Sequence, residues 1–259
     1  MFSPEPHTFL PRHQLSEVIC QLRFPGIDRL RTSLPGEFQE VVRSRFPAFT
    51  ANKELRPPKL AGVPGNFHLE NSDAAMNYAF TSDDGHYRIN LTENFISLSC
   101  SSYTGWQDFS NMLDMPLAAF IRIYQPQAFQ RIGLRYLNFI SRRALFLEET
   151  PFRKLIAPSY LGPMQQDFIP EGAFSRCTVD SDLLLRNGVR VKLHAGPGFV
   201  QKGKQKDPEI KYILDFDFYA AGNLPVSSSA DVLNKLHSQA YPLFRSAITQ
   251  ELWDAMNNS

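Results

Sequence analysis

Cysteine is scarce in this chain: three in 259 residues, Cys20, Cys100 and Cys177, set far apart. An odd, scattered set does not make a disulfide framework, and no Cys-x-x-Cys pair is present to start a zinc site. Long apolar runs are also missing. No stretch of about 18 uncharged apolar residues occurs, so no membrane-spanning helix is expected. Nor is there an excess of one charge: 27 Lys and Arg meet 26 Asp and Glu, for a formal net charge of +1. That balance argues against a protein that coats nucleic acid or an anionic membrane over its whole surface. The opening Met-Phe-Ser-Pro-Glu-Pro lacks the charged-then-apolar pattern of a secretory signal. A reduced, cytoplasmic protein is expected. The familiar chemical signatures are absent as well. There is no HExxH, no GxSxG and no GxxxxGK[ST], and the six histidines show no metal spacing. Each His reads as surface or core, and no metal or cofactor is expected.

What is present is an ordinary globular composition, 43% apolar and 20% charged, with 21 Phe and 9 Tyr. Abundant large rings favour a sheet-rich core. Residues 1–13 are rich in proline and read as an extended arm. Leu15 to Phe24 alternates, with Val18, Cys20 and Leu22 on one side, which is strand periodicity. Gly36 to Phe46 spaces Phe38, Val41, Val42 and Phe46 as a short helix, and 47–74, holding four prolines, reads as a long connection. A three-strand meander follows over Asn77 to Thr81, His86 to Leu91 and Phe95 to Cys100, with Asp83-Asp84-Gly85 as a hairpin turn. Thr104 to Tyr124 reads as a long amphipathic helix opened by a Thr104/Gln107 capping box and kinked or broken at Pro116.

The order then begins again. Phe129 to Ile140 reads as a strand and Glu148 to Leu161 as a short helical or irregular stretch, its Glu148-Glu149 pair capping a helix start. Three strands follow, Phe174 to Leu185, Val189 to Ala195 and Lys211 to Tyr219, with Asn187-Gly188 as the strongest hairpin turn. A closing helix over Ser229 to Met256 is expected to break at Pro242. Trp106 and Trp253 fall on the apolar helix faces and read as core. The predicted fold is α+β: an antiparallel β-sheet covered by long helices, built as a pseudo-duplicated β-α-β-β-β-α unit over 1–125 and 126–259. Residue identity between the halves is slight, so the repeat is one of pattern. Two such units can join edge to edge, or enclose a cavity between sheet and helices.

Charged residues in the strands are the main candidates for function. In Arg131-Ile-Gly-Leu-Arg-Tyr-Leu-Asn138, Arg131 and Arg135 share one face while Ile132, Leu134, Tyr136 and Asn138 share the other. Asn138 reads as a hydrogen-bonded core group. Asp215 and Asp217 alternate in the same way in Leu-Asp-Phe-Asp-Phe. The favoured reading pairs these Arg and Asp across strands as a satisfied charge network. The competing reading makes the arginines an anion site and the carboxylates a metal site, for which two carboxylates are too few. Lys202, Lys204 and Lys206, on a Gly-containing loop between two strands, are candidates for phosphate contact.

These blocks resemble a family. RIGLRYLN at 131–138, Tyr103-Thr-Gly-Trp106 entering a helix, Leu-Asp-Phe-Asp at 214–217, the opening LSEVICQLRFP and the closing His237 through Phe244 to Ile248-Thr249 recur in this order. Together they look like a sporadically distributed bacterial family of uncharacterised proteins of about this length, over roughly residues 8 to 256. The resemblance brings no catalytic residue or cofactor. It implies accessory genes such as phage defence or toxin–antitoxin modules. With no nucleophile–base pair or cofactor loop in view, the expected function is non-enzymatic binding, with another protein as partner. The alternatives are an enzyme acting on a phosphorylated small molecule or nucleic acid through Arg131, Arg135, Asp215 and Asp217, and a nucleic-acid binder through the basic hairpin loop.

Overall fold

The computed structural model describes residues 10–54, 59–63, 66–70, 75–202 and 205–258. The chain runs β1 (Leu15–Arg23), α1 (Asp28–Thr32), α2 (Gly36–Val42), β2 (Ala48–Glu54), β3 (Lys59–Val63), β4 (Asn66–Glu70), β5 (Ala75–Thr81), β6 (Tyr87–Leu91), β7 (Phe95–Cys100) and α3 (Trp106–Tyr124). It continues β8 (Ala128–Ile140), α4 (Phe152–Leu155), β9 (Val179–Leu184), β10 (Arg190–Lys202), β11 (Gln205–Pro225), α5 (Ser229–Ala247) and α6 (Gln250–Asn257). Short 3₁₀ turns fill much of the stretch between Arg143 and Ala173. The fold is α+β. Nine strands form one sheet in the order β2-β5-β6-β7-β1-β8-β11-β10-β9, and every pairing in it is antiparallel. β1 and β8 lie side by side at its centre, with Val18 opposite Tyr136 and Cys20 opposite Leu134.

Period-two alternation fixes which side of each strand is buried. Val18, Cys20 and Leu22 of β1, Ile132, Leu134 and Tyr136 of β8, and Leu214, Phe216 and Phe218 of β11 are all buried. A one-residue slip would turn each row to solvent, so the pattern specifies the register. Burying each large side chain contributes about 1.5–3 kcal/mol. Leu113, Pro116 and Leu117 of α3 face Leu22, Ile89, Ile96 and Leu98 of the sheet. Farther along, α5 packs on β8 and β11.

Several expectations need correction. The 47–74 stretch is not one long connection: β2 pairs with β5 from Ala48↔Thr81 to Glu54↔Ala75, and β3 pairs with β4 in a separate two-stranded sheet. Neither Pro116 nor Pro242 interrupts its helix. A proline inside a helix costs about 3 kcal/mol, and the apolar stripe buried along α3 outweighs it. The final break falls at Ile248-Thr249 instead, where the Thr249 side chain accepts from the Leu252 N–H and caps α6. The Thr104/Gln107 capping box does not form. Gly105 occupies the cap position of α3, and Thr104 Oγ1 donates to Asp108 Oδ2 at 2.6 Å. At α4 the carboxylate that meets the helix start comes from Glu171, which accepts from the Phe152 N–H at 2.7 Å, and not from Glu148-Glu149. The arm is not extended where it is described. Residues 10–13 turn, with His13 N–H donating to the Leu10 carbonyl and Arg12 N–H to that of Met256. Residues 1–9 lie outside the described residues. Among the described residues no helix is long and apolar enough to cross a membrane.

Candidate functional site

Two groups of side chains carry functional potential, one on each face of the sheet. On the polar face, the strand register puts Arg135 opposite Asp217 and Arg131 opposite Ala221. Both arginines reach along the strand to a carboxylate. Arg131 Nη2 donates to both oxygens of Asp217 at 2.7 Å, and its guanidinium lies 4.6 Å from the centre of the Tyr219 ring. Gly133 makes room for this: a Cβ there would run into the Arg131 guanidinium. Arg135 grips Asp215 with two parallel bonds, Nε to Oδ1 at 2.7 Å and Nη2 to Oδ2 at 2.5 Å. Forked pairing of this kind is among the stronger charge-assisted contacts. The bond to Asp215 raises the Arg135 pKa above its ordinary value. Next to this pair in the sheet, His194 Nδ1 meets Asp180 Oδ1 at 2.6 Å, and that contact holds the Asp180 carboxyl below its usual range. The four strand charges therefore satisfy one another.

The basic loop is described by its backbone pairing. Lys202 pairs with Gln205 and Lys206 with Gln201 across the β10–β11 hairpin, and Lys204 lies outside the described residues. Among the described residues, no group of three or more His, Cys, Asp or Glu converges in a metal-holding arrangement. Cys20, Cys100 and Cys177 are buried free thiols, and burial pushes the Cys20 thiol far up.

On the opposite face lies a cavity of about 390 Å³, between the sheet and the ends of three other segments. That volume falls within the range of about 300–1,000 Å³ usual for small-molecule sites. The sheet contributes Tyr136 and Asn138 of β8 and Phe216 of β11 as its floor. The first turn of α3 brings Trp106, with Tyr103 just before it. α5 brings His237, Ala240 and Tyr241, and the arm brings Leu10 and His13. Each segment is held in place by its own bonds. Gln14 ties the arm to β8 through its carbonyl, which accepts from Phe139 N–H at 2.9 Å, and through its side chain, which accepts from Ser141 N–H at 3.0 Å. Trp106 of α3 stacks on His237 of α5 with centroids 4.4 Å apart and planes 9° from parallel. Its Nε1 donates to Asn234 Oδ1 at 3.3 Å. His237 Nδ1 and the Tyr136 hydroxyl are hydrogen-bonded at 2.8 Å. The Tyr103 ring stands edge-on to Tyr136, 6.2 Å between centroids. Asn138 donates to the Leu214 carbonyl.

Sequence reading placed Trp106 in the core and every His at the surface or in the core, and it passed over Tyr103, Tyr136 and His13 as site residues. His237 and Trp106 are indeed buried, at 7% and 5% exposed, yet both line the cavity. The one available signal was a pair of neighbouring polar aromatics, Tyr103 and Trp106, at the mouth of a helix.

Burial sets the protonation states. It holds the Tyr136 phenol well above its ordinary value, raises that of Tyr103, and lowers the His13 imidazole. At neutral pH the two phenols are intact and His13 is uncharged. Because the folded-state phenol pKa values are raised, their stabilising contribution is complete below about pH 10 and disappears as pH climbs beyond it. Stability measured by urea unfolding is expected to fall steadily above about pH 10. Tyr136→Phe is expected to shrink that fall; an equal fall in the variant removes Tyr136 from the account.

No family model and no curated protein matches the chain. Its function has to be argued from the geometry itself.

Proposed function

We propose that this chain is a non-enzymatic binding protein whose cavity between sheet and helices takes a small, largely apolar ligand. The observation that supports it is the cavity: about 390 Å³, walled by rings from β8, β11, α3 and α5. Small-ligand sites are typically concave and mostly apolar, with a few placed polar groups. Tyr103, Tyr136, Asn138 and His237 supply such groups here. The charged residues of the opposite face support an enzyme less well, since Arg131, Arg135, Asp217 and Asp215 are engaged with one another. In this reading they brace β8 against β11 and do no chemistry.

The strand order supports a further part of the proposal. β5, β6, β7 and β1 on one side of the centre correspond to β9, β10, β11 and β8 on the other, and a long helix follows each set. We read this as a pseudo-duplicated β-α-β-β-β-α unit joined edge to edge through β1 and β8. The cavity then forms where the helix of each half, α3 and α5, meets the other. Ligand occupancy read out to a protein partner, in a cytoplasmic accessory system, is the setting we propose.

N-phenyl-1-naphthylamine, an uncharged dye that brightens in apolar sites, tests this. Saturable one-to-one binding to the purified full chain is expected. Ala240, 7% exposed on α5 and part of the cavity wall, is the place to block it. Ala240→Phe is expected to weaken dye binding at least about tenfold by occupying the space, with the far-ultraviolet circular dichroism unchanged. No saturable binding to the native chain, or binding indifferent to the substitution, removes the reading.

A further inference from the structure

The charge inventory of the cavity points to the chemistry of its ligand. This step rests on the binding reading above and deepens it. Among the described residues, neither lysine nor arginine lines the cavity. Among the described residues, an anionic ligand therefore meets no lysine or arginine there, and an unpaired buried charge is costly. Among the described lining residues the one carboxylate is Asp108, on the exposed side. It accepts from Thr104 Oγ1 and sits in the first turn of α3. A helix start carries roughly half a positive charge, so Asp108 and the end of α3 largely offset each other. Neither sign is then favoured at the mouth. Farther in, the Tyr103 and Tyr136 phenols are intact at neutral pH, and burial lowers the pKa of the His13 imidazole. Around them the walls are flat and aromatic, with Trp106 stacked on His237 on one side and Phe216 on the sheet. We propose that the cavity selects an uncharged, planar aromatic molecule and discriminates against carboxylates and amines built on the same ring.

Three compounds that share one naphthalene ring separate charge from shape: 2-acetonaphthone is neutral, 2-naphthoate carries a negative charge and 2-naphthylmethylammonium a positive one. Each is titrated at neutral pH against the full chain loaded with N-phenyl-1-naphthylamine. The ketone is expected to displace the dye at a concentration at least about tenfold below either ion. Asp108→Asn is expected to improve naphthoate more than it changes the ketone, because it removes the carboxylate nearest to the entering anion. An ion that competes as well as the ketone overturns the proposal and leaves the cavity a general apolar site. Equal shifts of all three compounds in Asp108→Asn overturn the charge argument too. If the dye binds saturably and is lost in Ala240→Phe, but no naphthalene compound displaces it, the preference for planar aromatics fails while the binding reading stands. If the dye itself does not bind, both fall.

Discussion

Phe216→Ala is expected to destabilise the chain by about 3–5 kcal/mol, the usual cost of emptying a phenylalanine site in a close-packed core. Phe216 is 1% exposed and lies on β11, where it faces Tyr136 of β8 on one side and Leu193 of β10 on the other. Its ring meets Tyr160 edge-on at 6.3 Å and the neighbouring Phe218 at 6.4 Å. Phe216 also forms part of the cavity floor, so the substitution enlarges the cavity at the same time. The measurement is a urea titration: the midpoint falls while the slope stays that of the native chain. A loss under about 1 kcal/mol would show that this part of the floor is loosely packed, and the cavity walls could not then be regarded as fixed.

Gly196→Ala is expected to cost about 1–3 kcal/mol through overpacking, and to loosen β9 as well. The reason is local. Residues 177–178 cross directly over β10 before β9 begins pairing at Val179↔Ala195. A Cβ on Gly196 would stand 2.5 Å from the Cys177 carbonyl oxygen and 3.2 Å from Thr178 Cα, and both are backbone atoms. Gly133 makes an instructive contrast. There the obstacle is the end of the flexible Arg131 side chain, which can swing aside at the cost of its contact with Asp217. Hydrogen exchange should show Gly196→Ala opening the β9–β10 pairing preferentially; uniform loss of protection throughout the sheet would contradict a local clash.

The strands with a buried row were legible because their alternation is strict. Val18, Cys20 and Leu22 announce β1, and Ile132, Leu134 and Tyr136 announce β8, whatever surrounds them. The same alternation put Arg131 with Arg135 and Asp215 with Asp217 on single faces, and the tertiary register supplied which carboxylate each arginine takes. The edge strand β2 was not legible. Its described side chains are mostly exposed, so no apolar rhythm marks it, and its strand character comes from pairing with β5. The two helix prolines misled for a related reason. Proline's local penalty is visible in sequence, whereas the burial that outweighs it along α3 belongs to the packed molecule.

The amino-acid order alone fixed an α+β chain with antiparallel pairing, its buried rows and most of its turns, because these depend on residues two to four positions apart. The cavity depended on tertiary structure. His13, Tyr103, Trp106, Tyr136 and His237 come from separate stretches of the chain, and each alone has the composition of ordinary core. Only the meeting of β1 with β8, and of α3 with α5, brings them around one space. No local pattern encodes that space, since it consists of volume that the packed side chains leave unfilled.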